Sequence, residues 1–122
     1  MFSIIIPIYN EEGNINKLSE SILSSLSNLN YEVIFINDGS SDNSENIIDE
    51  LTHKYLNFSL INLRRNYGQT AAMQAGFDHS KGDIVIPMDG DMQNDPKDIP
   101  KLIQKINEGY DVVSGWRKER LD

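Results

Sequence analysis

Five short apolar runs punctuate the chain, and between them apolar residues recur at helical spacing. The first run, Phe2 to Ile8, is β-branched and uncharged, as a strand buried on both faces is. Ile15, Leu18, Ile22, Leu26 and Leu29 then repeat every three or four residues, which predicts an amphipathic helix. Glu32 to Asn37, "EVIFIN", predicts a second buried strand. The turn "DGSSDNS" follows, with Asp42 as the helix cap and Glu45 three residues on as its capping-box partner. Ile47, Ile48, Leu51 and Tyr55 form the inner face of the second helix, and Phe58 to Leu63 is a third strand. Gln69 to His79 predicts a helix whose inner side is small: Ala71, Ala72, Ala75 and Gly76. Small residues let a helix approach a sheet or a ligand closely. Asp83 to Met88 is a fourth strand, and Ile99, Leu102, Ile103 and Ile106 mark a fourth helix with Pro96 and Pro100 near its start. Asp111 to Ser114 is a fifth strand.

Strict alternation of strand and helix predicts an α/β domain with a mainly parallel sheet and right-handed crossovers. Parallel strands share a carboxyl edge, and ligands bind in the crevice beyond it. Polar clusters follow the first four strands: "PIYNEEG", "NDGSSD", "RRNYGQ" and "DGDMQND". All four belong at that edge, whereas the opposite connections, such as "SNLN" and "HSKG", are plainer.

Composition narrows the picture. The 122 residues make one domain, and 39% hydrophobic with 25% charged residues is the balance of a folded chain. A net charge of −8 disfavours nucleic acid as a partner. With no cysteine there is neither a disulfide framework nor a thiolate metal site. The start, "MFSIIIPIYNEE", has no basic leader, and no apolar run reaches the ~18 residues of a membrane span.

The candidate chemistry lies in the polar clusters. Asp89 and Asp91 flank Gly90, so two carboxylates can reach one hard cation, directly or through water, with Gln93 as a neutral oxygen donor nearby. Gly90 lets backbone come close to a ligand. A calcium EF-hand loop fits poorly, because its sixth position is Asn94 and its twelfth Pro100. Asp38 can accept from a base or ribose hydroxyl, and the amides around Gly39 can serve the same ligand. Tyr9 can stack on a base and Glu11 can accept from a sugar or base. Arg64 and Arg65 precede a helix start, which suits phosphate. Each cluster alone also reads as a strand-ending turn or a helix cap, and for Asp38 to Ser40 taken alone that reading is the stronger. The dinucleotide fingerprint and the P-loop are both absent, and His53 and His79 read as surface residues.

In order, "SIIIPIYNEEGNI", "VIFINDGSSDNS", "LRRNYGQTAAMQAGFDHSKGD", "IVIPMDGDMQNDPKDIPKLI" and "DVVSGWRKER" resemble family 2 inverting glycosyltransferases of the GT-A fold. The resemblance is to the polyprenyl-phosphate sugar transferases, of the dolichol-phosphate mannose synthase and bactoprenol glucosyltransferase type, and it runs along nearly the whole chain. It implies that Pro7, Tyr9, Glu11, Asp38, Gly39, Asn66, Gly68, Asp89 and Gly90 hold a UDP- or GDP-sugar donor, joined by Arg117 on phosphate. It implies that Asp89, Asp91 and Gln93 hold Mg²⁺ or Mn²⁺, with Asp89 and Asp91 serving catalysis. The family often has Ala or Val where this chain has Gly90, a tolerable change if the backbone matters more than the side chain. Membrane association would come only through segments outside these residues, placing the whole protein at the cytoplasmic face of a membrane.

The family's catalytic domain continues past its fifth strand, so residues 1–122 correspond to its donor-binding part, with acceptor elements and any general base elsewhere. The resemblance thus implies sugar transfer to a polyprenyl phosphate, while a nucleotide-binding fragment without turnover is the alternative. A haloacid-dehalogenase-like phosphatase also places D-x-D after an apolar strand. It puts Thr or Val where Gln93 stands and uses its first strand rather than its fourth.

Overall fold

In the computed structural model, residues 1–90, 96–101 and 104 are described. Four parallel strands form one sheet: β1 (Phe2–Ile8), β2 (Tyr31–Asn37), β3 (Phe58–Asn62) and β4 (Ile84–Pro87), in the order β3-β2-β1-β4. Helices α1 (Ile15–Ser25), α2 (Ser44–Lys54) and α3 (Gln69–His79) connect them in turn. A short 3-10 turn, Pro96–Asp98, leads into helical residues 99–101. The predicted fifth strand, and Leu102, Ile103 and Ile106 of the fourth helix, lie outside the described residues.

Strand alternation sorts the core into two layers. Ile4, Ile6, Ile8, Val33, Phe35 and Ile86 pack with Leu18 and Ile22 of α1 and Ile48 of α2 on one face. Ile5, Ile34 and Ile36 pack with Ala72 and Met73 of α3 on the other. Both faces of β1 and β2 are therefore covered, which is why these strands read as unbroken apolar runs rather than alternating ones.

The small face of α3 has a measurable cause. A Cβ on Gly76 would lie 2.9 Å from Ile36 Cδ1 and 3.1 Å from Ile5 Cβ, so only glycine lets the helix sit this close to the sheet. Its composition differs from the sequence expectation at one position: Ala71 is exposed, and Met73 is buried instead. Alanine carries no preference strong enough to fix a helix face, whereas the longer Met73 packs in the same buried cluster as Ile5, Ile34 and Ile36.

The amino edge of the sheet is less plain than its sequence. The Glu32 carboxylate accepts from Ser3 Oγ at 2.6 Å and from the Lys81 amide at 2.7 Å, and Gly82 N donates to Ser3 Oγ at 2.8 Å. These bonds seat the turn that feeds β4 beside the start of β1.

Successive connections from β1 to β2 to β3 move outward in one direction, and the chain then crosses back to place β4 on the other side of β1. The strand order reverses between β1 and β4, the place where open α/β sheets leave a crevice at their carboxyl edge.

Candidate functional site

A crevice of about 290 Å³ opens at that position. Each of the four strand ends contributes to it: Pro7 at the end of β1 with Tyr9 and Glu11 beyond it, Asp38 after β2, Asn66, Gly68 and Gln69 before α3, and Asp89 with Gly90 after β4. No local rule joins residues as far apart in sequence as Pro7 and Gly90; the sheet order brings Asp38 and Asp89 to one place. Ligand pockets run from roughly 300 Å³ upward, so the described walls alone approach that size.

Side-chain bonds tie each loop to the next. Between the first and second loops, the amides of Asn10, Glu11 and Glu12 donate to Ser40 Oγ (3.0 Å), Ser44 Oγ (3.1 Å) and Asp42 Oδ2 (3.2 Å). Asn10 Oδ1 in return accepts from the amides of Ser41 (2.8 Å) and Asp42 (3.3 Å). Between the second and third loops, Asp38 accepts from the Tyr67 amide at 2.8 Å and the Gly68 amide at 3.0 Å, one on each oxygen. Between the third and fourth, Gln69 Nε2 donates to Asp89 Oδ1 at 3.3 Å.

Two buried carboxylates stand out. Asp38 is 4% exposed and Asp89 5%, and both line the crevice. Each oxygen of a carboxylate has two acceptor sites, so Asp38 keeps capacity for a ligand after taking its two amides. Glu11 adds a third acid, held by Asn14 Nδ2 at 2.8 Å. Three acids around one small space would repel an anion unless a cation came with it. The start of α3, at Gly68 and Gln69, brings the positive end of a helix dipole to the same space.

Gly39 does not line the crevice. Its φ is +71°, and a Cβ there would meet Asn66 N at 2.4 Å and Arg65 C at 2.5 Å. Asp38 and Gly39 together form the seat on which the loop of residues 64–68 rests. The nearby amide of Ser40 is itself engaged by Asn37 Oδ1 at 3.1 Å. Neither Arg64 nor Arg65 lines the crevice; Arg65 lies over the Tyr67 ring, 5.0 Å from its centroid.

Gly90 is buried, and its close neighbour is the protein's own first strand. A Cβ there would lie 2.5 Å from Ile8 Cδ1 and 3.2 Å from the Pro7 carbonyl. A side chain at this position would therefore press on β1, so the glycine suits the packing of this chain. Asp91, Gln93 and Arg117 lie outside the described residues.

Asp42 also departs from expectation. The helix cap position is Asn43, and Asp42, one residue earlier, accepts from the Ser44 amide at 2.9 Å. Its own amide goes to Asn10, where a capping box would use Glu45. Burial pushes the Asp42 carboxyl up, but the Ser44 hydroxyl and the amides of Ser44 and Glu12 outweigh it and hold the group below the ordinary carboxylate range.

Sequence reasoning passed over Asn10, Ser40, Ser44 and Gln69. One signal was available: Ser40, Asp42 and Ser44 alternate along the turn, as side chains sharing one side of an extended segment do.

The fold is the α/β architecture of the GT-A type. The S. aureus structure TarS 1-349 superposes with a TM-score of 0.74 over 88% of this chain and 32% of its own, at 24% identity. The mannosyltransferase PcManGT from Pyrobaculum calidifontis, in complex with GDP-Man and Mn²⁺, gives 0.70 over 80% of this chain and 29% of its own, at 20% identity. At such identities the likeness speaks for the fold alone.

The family comes from sequence. The profile of Glycosyl transferase family 2 matches residues 3–122, and the chain belongs to that family. Similar curated proteins are the undecaprenyl-phosphate 4-deoxy-4-formamido-L-arabinose transferases of Proteus mirabilis (strain HI4320), 45% identical, and Edwardsiella ictaluri (strain 93-146), 40% identical. Each match covers 98% of this chain and 38% of the relative, so the chain spans under two-fifths of their length. Among the described residues no helix is long and apolar enough to cross a membrane.

Proposed function

We propose that the crevice binds the nucleoside diphosphate of a sugar donor together with Mg²⁺ or Mn²⁺, and that residues 1–122 are the donor-binding part of a catalytic domain. The observation that carries this reading is the convergence of four strand-end loops on one small space holding Asp38, Asp89 and Glu11. Tyr9, 49% exposed at its mouth, offers a stacking surface for the base. Asp38 and Glu11 accept from base or ribose donors, and the α3 N-terminus faces phosphate.

The donor set fits a hard cation. Asp89 supplies a carboxylate, no cysteine exists in the chain, and neither histidine is in the crevice. Among the described residues no group of three His, Cys, Asp or Glu side chains gathers to hold a metal. Mg²⁺ sites characteristically use one or two carboxylates and complete themselves with substrate phosphates. Asp89 fills that role, with Asp91 and Gln93 as its partners from the adjoining segment. When bound, the cation supplies neutralisation of the diphosphate leaving group.

The whole protein, in this reading, transfers the sugar to a polyprenyl phosphate with inversion at the anomeric carbon. The relatives at 40–45% identity are named as transferases for undecaprenyl phosphate, which supports that acceptor class. TarS with UDP-GlcNAc and PcManGT with GDP-Man and Mn²⁺ support a nucleotide-sugar donor on this architecture. A phosphate monoester has a second pKa of about 6 and is largely dianionic at neutral pH. Its oxygen can attack the sugar carbon from the face opposite the diphosphate without a base to deprotonate it. In this reading the whole protein works at the cytoplasmic face of a membrane.

Calorimetric titration with UDP and GDP, with and without Mn²⁺, tests the reading. One nucleotide binds in a Mn²⁺-dependent manner, and Asp89→Asn weakens it at least tenfold while the fold is retained. Binding of neither nucleotide by the folded protein, or binding indifferent to Asp89→Asn, overturns it.

A further inference from the structure

Asn10 takes no part in the crevice lining, yet it sits between two residues that do. Tyr9 and Glu11 both line the space. Asn10 has a φ of +53°, and among the described residues it is the non-glycine residue with a left-handed backbone. Asparagine tolerates that conformation better than most residues. The chain therefore reverses between Tyr9 and Glu11 at a residue chosen for the turn.

Backbone tolerance does not explain the rest of its environment. Its side-chain oxygen accepts from the amides of Ser41 and Asp42, and from Ser41 Oγ at 3.4 Å. Its own amide donates to Ser40 Oγ. The next two amides, of Glu11 and Glu12, donate to Ser44 and Asp42 in the same segment. Three successive amides of the first loop thus meet three alternate side chains of the second, and Asn10 is the residue that returns the bonds. Glycine would supply the turn without the returning bonds. Aspartate would supply both.

We propose that Asn10 is a positioning residue for nucleotide binding: its carboxamide locks the first loop against the second and so fixes Tyr9 and Glu11 at the mouth of the crevice. Ordering the loop that carries the exposed Tyr9 and the half-buried Glu11 costs entropy, and a loop already held in the bound geometry spares the ligand part of that cost. The site gains affinity from a group that never touches the ligand.

This inference rests on the proposed nucleotide site, and the test separates the two. Nucleotide dissociation constants, with Mn²⁺ present, are measured for wild type, Asn10→Gly, Asn10→Ala and Asn10→Asp, alongside the thermal midpoint of each. The carboxamide accepts two amides, and losing those bonds weakens binding by about tenfold in both Asn10→Gly and Asn10→Ala. Asn10→Asp, which keeps an acceptor oxygen and the turn, stays within about threefold of wild type. Amide hydrogen exchange at Ser41 and Asp42 rises in the Gly and Ala variants and not in Asp. If wild type binds and Asn10→Gly binds equally well, the carboxamide has no positioning role and the proposal falls alone. If affinity follows the thermal midpoint across the series with no rescue by Asp, the effect is one of general stability and the proposal also falls. If wild type binds neither UDP nor GDP, the functional reading fails and takes the proposal with it.

Discussion

Replacing Gly39 with alanine puts the seat of the third loop to a quantitative test. The backbone there has φ +71°, and holding an L-residue in that region costs about 1–2 kcal/mol. Unlike an exposed turn, this one cannot absorb a methyl group. The new Cβ would meet Asn66 N at 2.4 Å and Arg65 C at 2.5 Å, both backbone atoms, so the 64–68 loop must lift. Lifting it stretches the bonds from the Tyr67 and Gly68 amides to the Asp38 carboxylate. Hydrogen bonds to a charged group are worth roughly 1.5–3 kcal/mol each, and counting only one as lost brings the total to about 3 kcal/mol. For an m-value of about 1.5 kcal/mol/M, the urea midpoint falls by about 2 M. Gly13→Ala is the control, because nothing lies within 4 Å of its Cβ position, and it should change stability by no more than about 0.5 kcal/mol. Asp38→Asn closes the cycle: once Gly39→Ala has displaced the loop, removing the carboxylate costs little more, giving a coupling of about 1 kcal/mol or above. Equal midpoints for Gly39→Ala and Gly13→Ala, or additive effects of Gly39→Ala and Asp38→Asn, would refute the loop-seat argument.

Three further outcomes follow from the same geometry. Gly90→Ala should cost about 1 kcal/mol, since its Cβ meets the movable end of Ile8, Cδ1, at 2.5 Å and the Pro7 carbonyl at 3.2 Å, and Ile8→Val in the same chain should recover part of that loss in chemical denaturation. The Asp42 carboxyl is held low in the folded protein, so its stabilising contribution is complete above the ordinary carboxylate range and disappears as pH falls through the lowered native value. Thermal midpoints of wild type and Asp42→Asn should accordingly differ at neutral pH and converge in acid. Gln69→Ala removes the amide that donates to Asp89, and it should weaken Mn²⁺-dependent nucleotide binding, read by calorimetry, by less than Asp89→Asn does.

The strands were legible because each is a short, largely apolar run bounded by turn chemistry, and Phe2–Ile8 coincides with its sequence reading. Gln69–His79 was equally clear, with its ends marked by Gly68 and by Ser80. The candidate residues were legible as polar clusters at strand ends, and eight of those proposed, from Pro7 to Gly90, line one crevice. What stayed hidden is the pairing between clusters. Nothing local to Asn10 announces that its acceptors' donors lie at Ser41 and Asp42, more than 30 residues away. Gly39 looked like a turn residue with amides for a ligand, and its close contact with residues 65 and 66 depends on where β3 ends beside β2. Ala71 and Met73 exchanged places for a similar reason: helix periodicity allows either face, and the sheet decides.

Backbone amide shifts on adding UDP or GDP with Mg²⁺ test the central claim most directly. The account predicts that the perturbed amides cluster at residues 8–12, 38–42, 66–69 and 89–90, at the carboxyl edge of the sheet, and that Asp89→Asn abolishes them. Saturable shifts confined to the amino edge, around Glu32, Lys81 and Gly82, or no shifts with either nucleotide, would contradict it.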